Sequence, residues 1–160
     1  MNLRQTTFVL AVVLIGLSVS GCSGIKSYAN QGVRNMSIES RTEYGSFFSR
    51  VKASVDIYDA FNPCEMDYLG AVPLNSDSEA VALPLYKPLY LRFLFSTSGL
   101  LANTRSSVTL GTLFVAEPHR TYRAQVSYLN SMYSVQLWAG DAGGSQPIDL
   151  VPLPSCRSTG

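Results

Sequence analysis

Apolar and polar side chains alternate along most of the chain after residue 45. The first such run covers residues 47–58, where Val55 and Ile57 alternate with Asp56 and Tyr58. Because successive side chains of a strand point to opposite faces, this period of two predicts a long β-strand. One face of that strand is expected in a core and the other in water.

The same period returns in shorter runs separated by turn residues. Further strands are predicted over 69–74, 80–83, 89–95, 108–114, 122–128, 133–137 and 148–151. The row that contains Phe93 is the most hydrophobic of them, which predicts a central strand. Asn130-Ser131 lies between two alternating runs and predicts a β-hairpin.

About eight strands with short connections, and no helical period beyond residue 22, predict an all-β fold. The expected architecture is an antiparallel β-sandwich of immunoglobulin or transthyretin-like type, with a partly open barrel as the alternative. Residues 140–145 hold three glycines and an aspartate, and they predict a mobile turn before the last strand.

The first 21 residues have a different composition. A short polar stretch containing Arg4 precedes the uncharged apolar run 8–19. This order is typical of a secretory signal peptide. A transmembrane helix is the alternative, but twelve residues rise only about 18 Å, against about 30 Å for the hydrocarbon core of a bilayer.

The apolar run ends in Val19-Ser20-Gly21-Cys22. This stretch resembles the lipobox of bacterial lipoproteins, although Val19 stands where that family most often has Leu. The resemblance implies that the Cys22 sulfur carries a diacylglyceryl group, that cleavage occurs just before Cys22, and that the new amine is often acylated. A plain secretory signal followed by a chance cysteine is the alternative.

Two or three acyl chains hold a protein stably on a membrane surface. Because residue 23 is Ser rather than Asp, the resemblance further implies sorting to the outer membrane of a Gram-negative cell, facing the periplasm. We therefore expect a signal peptide over 1–21, a tether over 22–45 and a β-sandwich domain over 46–160. Within the tether, glycines and asparagines break any pattern, and a short ordered piece near 36–41 is left open.

The charges are nearly balanced. The chain has 12 Lys and Arg against 11 Asp and Glu, and cleavage before Cys22 would remove Arg4. A nucleic-acid-binding protein needs a basic surplus to neutralise phosphates, so this composition argues against such a partner.

Three cysteines are present, at positions 22, 64 and 156. If Cys22 carries lipid, Cys64 and Cys156 remain as a pair in an exported chain, which predicts a disulfide. Its loop of about 93 residues would contribute at most about 4 to 5 kcal/mol in the chain-entropy treatment. Two unpaired thiols are the alternative.

The sequence offers little catalytic chemistry. His119 is the only histidine, it lies in a predicted turn, and an exposed turn residue is the simpler interpretation. Carboxylate pairs such as Asp56 with Asp59 also occur by chance in loops. We therefore expect no enzymatic activity, no metal site and no cofactor.

Aromatic residues give the most informative candidate surface. The alternation places Tyr58, Tyr90 and Trp138 away from the core side of their strands, together with Arg92. Such a surface suits docking a protein or stacking on sugars. Tyrosines also simply suit half-exposed strands, and Trp138 would be core if both faces of its sheet were covered.

These features predict a non-enzymatic, lipid-anchored module of the cell envelope that docks a protein partner. Its fold and lipidation are similar to those of the small transthyretin-like lipoproteins that anchor type VI secretion machines, which implies an anchoring role as one alternative. A glycan- or peptidoglycan-binding module that uses the aromatic face is the other.

Overall fold

A computed structural model describes residues 25–42, 49–99, 105–130 and 132–156. The predicted signal peptide and the lipidation site Cys22 lie outside these residues. Within the described part the chain forms nine strands and no helix, so it has no helical segment able to cross a membrane.

Nine strands, numbered in chain order, make up the fold. They are β1 (Met36–Thr42), β2 (Ser49–Asp59), β3 (Asp67–Pro73), β4 (Ser78–Val81), β5 (Pro88–Gly99), β6 (Arg105–Val115), β7 (Thr121–Leu129), β8 (Met132–Asp141) and β9 (Gly144–Ile148). The predicted β-hairpin is confirmed, because β7 and β8 pair antiparallel with Val126 opposite Val135.

The strands form two sheets. Sheet A has the order β3-β2-β5-β6, and sheet B has the order β4-β1-β7-β8-β9. All pairs are antiparallel except β1 with β7, which run parallel. The expected all-β architecture of two packed sheets is therefore confirmed among the described residues, with one parallel pair that was not expected and one strand more than the eight anticipated.

The core lies between the two sheets. Most of the described side chains that the alternation assigned to the core face are buried, among them Val55, Ile57 and Phe93, and β5 is an interior strand as predicted. Ring contacts join the sheets: the centroids of Phe95 and Tyr133 lie 4.9 Å apart, and those of Phe114 and Tyr122 lie 4.8 Å apart. Burial of these apolar faces is the main force that holds the sheets together.

The tether expected over 22–45 left open a short ordered piece near 36–41, and the structure has a strand there. Residues 36–42 form β1, an interior strand of sheet B that pairs with β4 on one side and β7 on the other. Residues 25–35, which we call the strap, run from the edge of sheet A to the edge of sheet B. Tyr28 donates its amide to Ala71 O of β3 and its hydroxyl to Ala82 O just after β4.

The last strand also differs from expectation. β9 occupies 144–148, so it begins inside the predicted mobile turn 140–145 and ends where the last strand was expected to begin, and only residues 142–143 connect it to β8. Beyond β9, the amide of Val151 donates to Thr112 Oγ1 of β6, and the amide of Leu113 donates to Val151 O. The C-terminal segment thus closes the side of the sandwich opposite the strap.

The predicted cysteine pair is joined. The sulfurs of Cys64 and Cys156 lie 2.05 Å apart, a disulfide distance, across a sequence separation of 92 residues. This bond ties the C-terminal segment to the loop between β2 and β3.

Candidate binding surface

Five polar or aromatic side chains meet on the outer face of sheet A. Asp56 and Tyr58 come from β2, Tyr68 from β3, and Tyr90 and Arg92 from β5. The strand pairing brings these side chains together, since Tyr58 lies opposite both Tyr68 and Tyr90, and Asp56 lies opposite Arg92. We call this set the tyrosine–arginine cluster.

An ion pair forms the polar centre of the cluster. Arg92 Nη2 donates to Asp56 Oδ2 at 2.6 Å, and Arg92 Nε donates to the same oxygen at 3.2 Å. Burial lowers the pKa of Arg92, but the hydrogen bond to Asp56 and the neighbouring tyrosines raise that pKa more. The guanidinium therefore stays charged, and it carries further N–H donors beyond the Nε and Nη2 groups that bind Asp56.

Aromatic rings surround that ion pair. The Arg92 guanidinium carbon lies 4.9 Å from the centroid of the Tyr58 ring, within cation–π distance. The Tyr58 centroid lies 5.2 Å from that of Tyr68 and 6.1 Å from that of Tyr90. Burial raises the pKa of Tyr58 and of Tyr68, so both hydroxyls stay protonated and able to donate near neutral pH.

Gly111 makes room for Tyr90. A Cβ at position 111 would lie 1.9 Å from the Tyr90 hydroxyl oxygen and 2.4 Å from its Cζ, so the ring rests directly over the glycine backbone. Gly111 lies on β6, directly opposite Arg92 of β5. A side chain there would force the Tyr90 ring out of its present place in the cluster.

A shallow hollow of about 580 Å³ lies between the cluster and the strap. Its walls combine polar groups of the cluster with apolar side chains from the strap and from neighbouring strands. The apolar walls come from Ile25, Ala71, Pro73 and Leu94. An open, mostly apolar hollow bordered by an arginine and tyrosines is the composition found at the centre of protein interfaces.

The structure brings together three of the four side chains expected to form one surface. Tyr58, Tyr90 and Arg92 share the outer face of sheet A, whereas Trp138 lies on the outer face of sheet B. The Trp138 ring is covered by Arg123, whose guanidinium carbon lies 4.5 Å from the ring centroid. The two aromatic–arginine pairs therefore face opposite sides of the sandwich.

Two members of the cluster were not identified in the sequence as part of this surface. Tyr68 lies just before the strand predicted over 69–74, whereas β3 begins at Asp67. Asp56 was considered only as a chance carboxylate. The sequence did indicate one of them: Asp56 and Tyr58 are two residues apart on the same strand, so their side chains point to the same, outer face. Tyr68 joins them only because of the irregular register between Ile57 and Tyr58.

Other chemistry among the described residues is sparse. His119 lies exposed in the turn between β6 and β7 with a φ of 62°, and it borders a second hollow of about 730 Å³. No group of three or more His, Cys, Asp or Glu side chains in the described ranges is arranged to hold a metal ion.

The chain matches no protein family by sequence, and no curated protein or solved structure is similar to it. Its function is therefore inferred from its own residues and geometry.

Proposed function

We propose that the protein is a non-enzymatic lipoprotein, held by lipid on Cys22 to the periplasmic side of the outer membrane, that docks a protein of the cell envelope. In this proposal the signal peptide covers residues 1–21, and the sandwich is of immunoglobulin or transthyretin-like type. The docking surface is the tyrosine–arginine cluster on sheet A.

The observation that carries the docking proposal is the packing of Arg92 over Tyr58, flanked by Tyr68 and Tyr90, beside an apolar hollow. Tyr and Arg are enriched at interface positions that contribute most to binding. Here they are also held in place before binding, because Asp56 fixes the guanidinium. A partner would therefore bind without the entropic cost of ordering these side chains.

A glycan ligand is the alternative, since tyrosine rings also stack on sugars. The pairing of Trp138 with Arg123 on sheet B weakens the case for Trp138 as the stacking platform, because one ring face is already occupied. An anchoring role in a type VI secretion machine would be one case of protein docking.

Site-specific photo-crosslinking in cells tests the docking surface. A photo-reactive amino acid in place of Tyr68 should give a discrete protein adduct, whereas the same amino acid in place of Trp138 should give none. The Tyr68 adduct should disappear in the Arg92→Ala variant and persist in Arg123→Ala, which removes the matched arginine from the other sheet.

No adduct at position 68, or an adduct at 68 that survives Arg92→Ala, would contradict docking through the cluster. Titration with peptidoglycan fragments tests the alternative: heat of binding that is lost in Tyr58→Ala would favour the glycan ligand. The anchor is tested separately, because Cys22→Ala should abolish lipid labelling and release the protein from membranes or leave an uncleaved precursor.

A further inference from the structure

One end of the sandwich exposes large apolar side chains. At this end β2 and β6 terminate and β5 begins, as shown by the hydrogen bonds from the Ala60 amide to Pro88 O and from the Tyr86 amide to Ala116 O. We define the apolar end by five exposed side chains: Val33, Phe61, Leu85, Tyr86 and Val115.

Among the described residues, exposed large apolar side chains are concentrated at this end. Of the ten large apolar side chains that the described residues expose, five form the apolar end, and only Leu129 and Met132 lie at the opposite end, at the tip of the β7–β8 hairpin. Phe61 is 85% exposed and Tyr86 is 72% exposed. Clustered exposed apolar side chains mark an interaction surface, whereas single ones do not.

The strap leads the chain toward the same end. Ser27 runs parallel to Ala71 of β3, and the Lys26 ammonium donates to Tyr68 O, nearer the start of that strand. Followed backwards, the chain therefore points toward the loop 60–66 that precedes β3. Three residue steps separate Ile25 from Cys22, and they span at most about 11 Å when fully extended.

We propose that the apolar end rests on the lipid bilayer, with Phe61 and Tyr86 in the interfacial layer. This inference depends on the proposed lipid anchor at Cys22, because acyl chains on that residue would hold Ile25 within about 11 Å of the attachment point. Aromatic side chains favour the membrane–water interface, where their rings meet both apolar and polar surroundings. The lipid surface is thus the occupant that the anchor itself would bring to this end.

The charges at this end favour a contact with lipid that is mainly apolar. Lys87 pairs with Asp59 and Arg120 pairs with Glu117, so these two cations carry their own counter-charges. Among the described residues at this end, Lys26 and Arg34 are left without an ion pair, and two separate cations do not make a basic cluster. A protein attracted mainly by anionic lipid headgroups would instead present a basic cluster. We therefore expect the contact to change little with ionic strength, since salt screens charge attraction but not apolar burial.

This orientation would leave both sheets free. The strands run from one end of the sandwich to the other, so a membrane at the apolar end does not cover the outer face of sheet A. The tyrosine–arginine cluster would then face sideways into the periplasm.

Fluorescence quenching by brominated lipids tests the contact. The full-length protein, acylated in cells and reconstituted into vesicles of phosphatidylethanolamine and phosphatidylglycerol, would carry Phe61→Trp in a Trp138→Phe background. Bromolipids should quench tryptophan at position 61, at low and high salt alike. The matched control, Met132→Trp, replaces an exposed side chain at the opposite end and should show no quenching.

The outcomes separate this inference from the anchor on which it rests. Mass analysis of Cys22 in the same sample reports acylation: a protein without lipid there overturns the anchor, and the docking inference with it. Acylated protein with no quenching at position 61, or with equal quenching at 61 and 132, overturns the docking inference alone. Tyr86→Trp repeats the test at a second position, and circular dichroism verifies that each variant is folded.

Discussion

Two asparagines replace missing strand partners with their side chains. Asn35 Nδ2 donates to Leu83 O at 2.9 Å while its Oδ1 accepts from the Leu83 amide at 2.8 Å. Asn30 bridges Ala80 O and the Ala82 amide in a similar way. A carboxamide carries both a donor and an acceptor, so it satisfies a backbone segment as a neighbouring strand would.

Replacing Asn35 should destabilise the protein more than replacing Asn30. Asn35 is buried and Asn30 is exposed, so Asn35→Ala leaves the Leu83 amide and carbonyl without partners and without water. We expect a loss of about 2–3 kcal/mol for Asn35→Ala and about 1 kcal/mol or less for Asn30→Ala. Denaturant unfolding measures both, and equal losses would contradict this account.

Asp59 gives the stability of the fold a dependence on pH. The hydrogen bond from Lys87, helped by one from the Phe61 amide, lowers the pKa of the Asp59 carboxyl below its usual value of about 3.9. The unfolded chain lacks both bonds and binds this proton more readily. The stabilisation is therefore present above about pH 4 and is lost as pH falls through the lowered pKa.

Asp59→Asn should accordingly be less stable than wild type at pH 7 and approach wild-type stability at an acidic pH below the lowered pKa of Asp59. Asn retains an oxygen that accepts from the Phe61 amide, so the variant removes mainly the charge. Lys87→Met should show the same convergence. A difference in unfolding midpoint that is constant between the two pH values would show that charge pairing is not the cause.

At the level of strands, Gly70 is the position that lets the strap lie against β3. Its φ is +145°, and a Cβ there would lie 2.6 Å from both the backbone nitrogen and the Cα of Tyr28. Backbone atoms cannot move aside as the tip of a long side chain can. The strap and β3 therefore depend on the absence of a side chain at this one position.

Gly70→Ala should cost about 3 kcal/mol or more and release the strap. Gly144→Ala is the matched control, because Gly144 also has a positive φ, +127°, but nothing lies within 4 Å of its added Cβ. The control should lose only the backbone contribution, about 1–2 kcal/mol. Hydrogen exchange of the Tyr28 amide should accelerate in Gly70→Ala alone, and equal acceleration in both would refute the steric explanation.

Local alternation predicted the strands that have one face in the core, because burial of that face requires a period of two. It failed for β1, where only Met36 and Ile38 are fully buried on the core side. That strand is fixed by pairing on both edges, including the parallel ladder with β7. Pairing with distant strands cannot be read from the seven residues of β1 alone.

The candidate surface was likewise predictable only in part, from the alternation within each strand. Alternation gives the side of its own strand on which a residue lies, and this placed Tyr58, Tyr90 and Arg92 on outer faces. It does not say which sheet a strand joins, so Trp138 was grouped with side chains that lie on the other sheet. The cluster itself depends on strand order, with β2 between β3 and β5.

Across the whole molecule, the two ends of the described chain close the two open sides of the sandwich. The strap joins β3 to the β4 side, and the segment after β9 bonds to β6 through Val151. The disulfide then links this C-terminal segment to the loop between β2 and β3. The disulfide thus connects the loop before β3, at one edge of sheet A, with the segment bonded to β6, at the other edge.

Removing the disulfide should therefore weaken the entire fold rather than only its C-terminal segment. Because Cys64 and Cys156 are 92 residues apart, the bond restricts most of the unfolded chain, and Cys64→Ser with Cys156→Ser should lower the free energy of unfolding by up to about 4–5 kcal/mol. Denaturant unfolding should give one cooperative transition at a lower midpoint, with the Val126 and Phe93 amides exchanging faster together.

Reductant provides the control, since it should shift the wild-type midpoint toward that of the double variant and leave the double variant unchanged. An unshifted midpoint in the double variant would mean that the pairing does not restrict the unfolded state. Faster exchange limited to residues near Val151 would mean that the bond acts only locally. Either result would contradict the expectation, which follows from the length of the closed loop and not from contacts around the two sulfurs.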